Sequence, residues 1–62
     1  MYRIYIQDRD VRLWLLDWIV SIGIDHPQFT TTYDYAMTFT SFDIALRYHR
    51  KLKALGYTPH IN

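Results

Sequence analysis

The stretch Thr40–Gly56, TSFDIALRYHRKLKALG, decides the fold, because its start, period and stop signals agree on one helix. Thr40 or Ser41 supplies a side-chain oxygen for the unpaired N–H groups of a first turn, and Asp43 suits the positive end of the helix. With Thr40 as the cap, Asp43 stands three residues on, close to a capping-box spacing. Gly56 fits the left-handed position that ends a helix, and Pro59 follows. Arg50, Lys51 and Lys53 fall near the negative end. At about 100° per residue, Ile44, Ala45, Tyr48, Leu52 and Leu55 share one side, a stripe wide enough to pack on a sheet. Asp43, Arg47, Arg50 and Lys51 lie mostly opposite. Phe42 and Leu46, spaced i, i+4, sit off the stripe beside His49 and Lys53, as the core edge or as an exposed apolar ridge.

The rest of the 62-residue chain must give that helix a surface to pack on. Tyr2, Ile4 and Ile6 alternate with Arg3 and Tyr5, the period of a half-buried strand. Gln7-Asp8-Arg9-Asp10 reads as a polar turn. Val11, Leu13 and Leu15 then alternate with Arg12, Trp14 and Leu16, which makes a hairpin the simplest reading. A helix over 11–22 competes with it: Val11, Trp14, Leu15, Trp18, Ile19 and Ile22 also form a helical stripe, with Asp10 and Gly23 as its ends. Over Ile19–Ile24, the β-branched Val20, Ile22 and Ile24 alternate with Ser21 and Gly23 and favour strand. Asp25-His26-Pro27-Gln28 reads as a loop, since Pro27 pushes His26 out of helical geometry. Phe29–Tyr33 has β propensity. Tyr35, Met37 and Phe39 alternate with Ala36 and Thr38 up to the helix. Tyr57–Ile61 adds a short last strand, which Pro59 confines to an edge. The expected fold is α+β: one domain over residues 1–62, a small antiparallel sheet in the order β-β-β-α-β, with one helix on one face and the other face open.

Composition bounds the possibilities. A domain of this size buries only about 60% of the surface its unfolded chain exposes, and one core leaves about 3–5 kcal/mol of net stability. With no cysteine, neither disulfides nor a thiolate zinc site is available, which suits a reducing compartment. Six Tyr, three Phe and two Trp are more rings than so small a core holds, so some must face outward. All six acids are Asp, and all lie within residues 1–46, whereas residues 47–62 carry Arg47, Arg50, Lys51 and Lys53 without an acid. The net charge of +1 excludes a strongly anionic DNA mimic. Met1 runs directly into a strand pattern without a signal peptide. The apolar run Leu13–Ile24, broken by Asp17, Ser21 and Gly23, is too short to span a bilayer. A cytoplasmic protein with no membrane association is therefore expected.

Ala36, Phe39, Ser41, Ala45, Leu52, Gly56 and Ile61, together with the opening hairpin, stand at spacings that resemble those of small accessory proteins encoded by bacteriophages. Each position also has a structural reason: Ala36 and Ala45 allow close helix–sheet approach, Phe39 fills the core and Ser41 caps. Phe42-Asp43-Ile44 stands where that group usually carries acidic residues. The resemblance implies a host-takeover or anti-defence factor that binds a host protein in the host cytoplasm.

The side chains point away from catalysis. His26, His49 and His60 match no metal-ligand spacing, and scattered surface histidines are the plainer reading. The Asp residues fall at turns and caps, where Asp is ordinary. Ser21 and Ser41 lack a nucleophile's surroundings, and the chain's two glycines make no phosphate loop. No catalytic residue, metal site or cofactor is expected. Trp14, Trp18, Tyr33 and Tyr35 are of the types enriched at interaction hot spots, although core packing must claim at least half of them. With Phe42 and Leu46 they form the expected partner-binding set. An apolar second sheet face would demand a partner or a second copy. The leading expectation is a protein-binding module, an inhibitor or adaptor acting by occlusion. A homodimer is a further possibility. The alternative is nucleic-acid binding by Arg47, Arg50, Lys51 and Lys53 on the outer face of helix 41–55.

Overall fold

The computed structural model describes residues 1–62. Strand β1 (Ile4–Asp8) turns through Arg9-Asp10 into β2 (Val11–Ser21), and Ile22-Gly23 turns the chain into β3 (Ile24–Thr30). A 3-10 turn (Tyr33–Tyr35) precedes helix α1 (Phe42–Ala54), and β4 (Pro59–Ile61) closes the chain. All pairings are antiparallel, in the order β3-β2-β1-β4. The α+β sheet with one helix is thus as expected, and residues 11–21 are strand, not helix.

The reason lies in pairing. Tyr5 faces Trp14 and Ile6 faces Leu13 across the first hairpin, so Ile4, Ile6, Leu13 and Leu15 line one face. Ile4, Leu15, Phe39, Ala45 and Leu52 form the core, with Tyr2, Trp18, Phe29, Met37, Tyr48 and Ile61 packed around them. Strict alternation would send Asp17 inward after Leu15. A bulge between Leu15 and Asp17 shifts the register by one residue, so that Leu15 pairs Phe29 and Trp18 pairs Pro27. Trp18 thereby reaches the helix side, where its ring meets Tyr48 edge-on at 5.8 Å. The Leu15 carbonyl accepts the Met37 N–H at 2.8 Å.

Three local expectations are corrected. Asp25–Gln28 is strand, not loop: the residue before a proline favours extended backbone, and Pro27 needs no outward donor on an edge strand. Ile19–Ile24 is not one strand, because Gly23 at φ 77° makes the turn inside it. Tyr35–Phe39 is not a strand; its pairing is a single bridge from Phe39 to Tyr2, with N–H···O distances of 2.7 and 2.8 Å. Prolines stand in both edge strands, Pro27 in β3 and Pro59 in β4. Each removes a donor that an added strand would use, so the sheet is poorly suited to growth at its edges.

The helix is capped by Ser41, whose Oγ accepts the Ile44 N–H at 3.4 Å. It ends in a Schellman arrangement, with Tyr57 N–H on the Leu52 carbonyl at 3.1 Å and Gly56 N–H on the Lys53 carbonyl at 3.0 Å. The buried face is centred on Ala45 and Leu52, both fully buried, with Tyr48 and His49 half-buried between them. Ile44 and Leu55, expected on the stripe, are exposed because both lie on one flank of that line, roughly 70–90° round the helix from it. His49 Nε2 donates to the Pro59 carbonyl at 3.1 Å and ties the helix to β4. Gly56 sits at φ 97°, and a Cβ there would meet nothing within 4 Å, so its cost is purely backbone. Gly56→Ala is expected to destabilise the domain by about 1–2 kcal/mol. A melting temperature lower by roughly 4–16 °C checks this.

Candidate interaction site

The length of β2 creates the most distinctive surface. Its first part, Val11–Trp14, pairs with β1, only Trp14 has a partner on both sides (Tyr5 and Thr30), and from Leu15 onward its strand partner is β3 alone. The two strands leave the sheet as a ribbon. Tyr48 reaches as far as Trp18, and beyond it the helix-side residues lose their cover. Val20 is 73% exposed on the helix side, Ile24, paired with Ser21, is 54% exposed on the opposite face, and Ile22 at the turn is fully exposed. Leu16, displaced by the bulge, is also exposed. These are β-branched or aliphatic side chains held on a hydrogen-bonded frame, so little ordering entropy remains to be lost on contact.

The ribbon is also acidic. Residues 13–46 contain no Lys or Arg, and Asp17 and Asp25 flank the apolar tip. Asp25 Oδ1 accepts from Trp18 Nε1, and Asp17 Oδ1 accepts the Trp18 backbone N–H at 2.7 Å. Both contacts stiffen the base of the ribbon.

The expected partner-binding residues do not form one surface. Trp14 is buried at 6% exposure on the outer face of the sheet, covered edge-on by Tyr33 at 4.8 Å. Trp18 lies half-buried on the helix side with Lys51 Nζ 4.4 Å above its ring. Tyr35 is exposed at the 3-10 turn. Phe42 is exposed but packs edge-on against Tyr2 at 5.3 Å, and Leu46 is half-buried. The basic strip also divides. Arg47, Arg50, Lys51 and Lys53 are all exposed, but the Lys51 ammonium leans back over the Trp18 and Tyr48 rings. The histidines stand apart: His26 is on β3, His49 bonds the Pro59 carbonyl, and His60 stacks on Tyr5 at 5.0 Å.

The exposed tip of Val20, Ile22 and Ile24 was absent from the expected set. Its signal was in the sequence: an apolar run that continues through a turn glycine must expose side chains at the turn. A cleft of about 480 Å³ opens at the other end of the helix side, between Ile6, Leu13 and Phe29 and the Gly56-Tyr57-Thr58 loop. Tyr57 meets Phe29 edge-on at 5.4 Å and closes one wall. No helix is long and apolar enough to cross a membrane. Comparison with family models, curated proteins and solved structures finds no match.

Proposed function

We propose that this protein is a small protein-binding module that inserts the tip of its β2–β3 ribbon into an apolar cleft of a partner, blocking that cleft. The observation that carries the reading is Ile22, fully exposed between the exposed Val20 and Ile24 on a projecting ribbon. Isolated exposed aliphatics are ordinary, but adjacent ones at a protruding tip mark contact surfaces. The acidic flanks, Asp17 and Asp25, favour a cleft rimmed by Lys or Arg and disfavour anionic membranes and nucleic-acid backbones. Prolines in both edge strands argue against strand addition as the mode of contact. The resemblance to phage-encoded accessory proteins supports a host protein as the partner and an inhibitor or adaptor role.

A tagged pull-down from host lysate, read by mass spectrometry, tests this when wild type and Ile22→Asp are run in parallel. A protein retained by wild type and lost with Ile22→Asp is the expected result; one retained equally by both contradicts the tip as the contact. Light scattering at micromolar concentration is expected to give a monomer. A dimer that Ile22→Asp dissociates would reassign the tip to self-association.

A further inference from the structure

We infer that the outer face of the sheet, on the side away from α1, carries a second site, for single-stranded nucleic acid. On β1, Tyr5 points outward between the buried Ile4 and Ile6. Its register partners bring Trp14 to one side and His60 to the other. The Tyr5 and Trp14 ring centroids are 5.0 Å apart. His60 lies 5.0 Å from Tyr5 with only 24° between the ring planes, a stacked pair. Arg12, from β2, sets its guanidinium 4.0 Å from the Tyr5 centroid. Arg3 sits 4.3 Å from the Tyr33 ring centroid and donates to the Tyr33 hydroxyl at 2.8 Å. Rings and guanidinium planes thus run across three strands.

Two features select the ligand. First, Tyr5 is flanked by His60 from β4 and Arg12 from β2, and both of these are exposed. Each offers a flat π surface to a further ring, and unpaired bases supply such rings on a phosphate chain. Second, the outward strand residues of this half, Tyr5, Gln7, Arg12, Trp14 and His60, include no carboxylate. Asp8 faces the helix side in the cleft, Asp10 lies in the β1–β2 turn, Asp34 lies in the 3-10 turn, and Asp17 lies past the bulge. The acidic ribbon tip lies beyond the bulge, so one sheet separates a cationic, aromatic half from an acidic, aliphatic one. Arg12, with five donors on an exposed planar group, serves both as a stacking surface and as a phosphate ligand. A duplex keeps its bases paired and stacked inside and offers this face phosphates only. An acidic peptide matches the charge but leaves the planes unused.

Fluorescence anisotropy with a labelled oligodeoxythymidine of roughly twelve residues tests the site. At low ionic strength the wild type is expected to bind, and added salt to weaken it. An abasic strand of equal length is expected to bind at least about tenfold more weakly. The double variant Arg12→Ala/His60→Ala, both exposed positions, is expected to lose about tenfold or more with its circular dichroism spectrum unchanged. Arg47→Glu/Arg50→Glu on the helix is expected to change affinity less than about twofold, since those phosphate contacts belong to another face. The inference is overturned by absence of binding at low salt, by equal affinity for the abasic strand, or by equal competition from poly-glutamate. It is also overturned if the helix variant abolishes binding while the Arg12/His60 variant does not. None of these outcomes depends on the ribbon tip.

Discussion

Leu52→Ala is expected to leave most of the protein unfolded at room temperature. Only nine of 62 residues are buried, and Ile4, Leu15 and Leu52 are the large side chains that are completely so. Leu52 belongs to the core cluster of the helix and sheet, and its carbonyl accepts the Tyr57 N–H that closes the helix. Truncating a buried leucine costs about 2–5 kcal/mol through lost transfer energy and the cavity left behind. A core this small supplies about 3–5 kcal/mol in total. The two quantities are of the same size, so the folded fraction should fall from nearly complete to a minor one. Leu55→Ala, at a half-exposed position, provides the contrast and should cost well under about 1 kcal/mol. Thermal and urea unfolding followed by far-UV circular dichroism separates the two. A Leu52→Ala protein that melts with the wild type would mean that α1 packs through a different face.

Ile22→Asp is expected to abolish partner binding while leaving the fold as stable as before. Ile22 makes no buried contact, so its replacement removes nothing from the core. Gly23, not Ile22, holds the positive φ of the turn. Within a complex the same change places a carboxylate in an apolar cleft, where an unpaired charge is costly. Truncation of a central contact residue loses about 2 kcal/mol or more, and about 2 kcal/mol is already roughly thirtyfold in affinity. Calorimetric titration of the captured partner, beside a melting curve, checks both halves of this expectation. Equal affinity for Ile22→Asp would remove the tip from the interface.

The sequence made the helix legible because its signals are local: Ser41 caps, Gly56 stops and Ala45 to Leu52 keep the period. The first hairpin was legible for the same reason. The features that position the candidate sites are not local. The bulge between Leu15 and Asp17 moves Trp18 to the helix side, and no one-strand pattern announces a register shift set by pairing with Pro27 and Phe29. Pro27 looked like a loop residue because its place at a sheet edge depends on the strand order. Trp14 seemed available to a partner, but Tyr33, nineteen residues later in sequence, folds over it. Helical angle alone puts Lys51 on the solvated side, but its long stem lets the ammonium reach back over the Trp18 ring. Helical angle also put Ile44 and Leu55 on the packed stripe, but a helix this short buries only a narrow line.

Site-specific photo-crosslinking puts the central claim to its most direct test. A photoreactive phenylalanine analogue is placed at position 22 in one protein and at position 42 in another, and both are irradiated in host lysate. Position 22 is the ribbon tip, and position 42 belongs to the helix surface that packs on Tyr2. The account predicts a discrete adduct from position 22, displaced by excess unlabelled wild type, and none from position 42. The same adduct from position 42 with none from position 22 would contradict it.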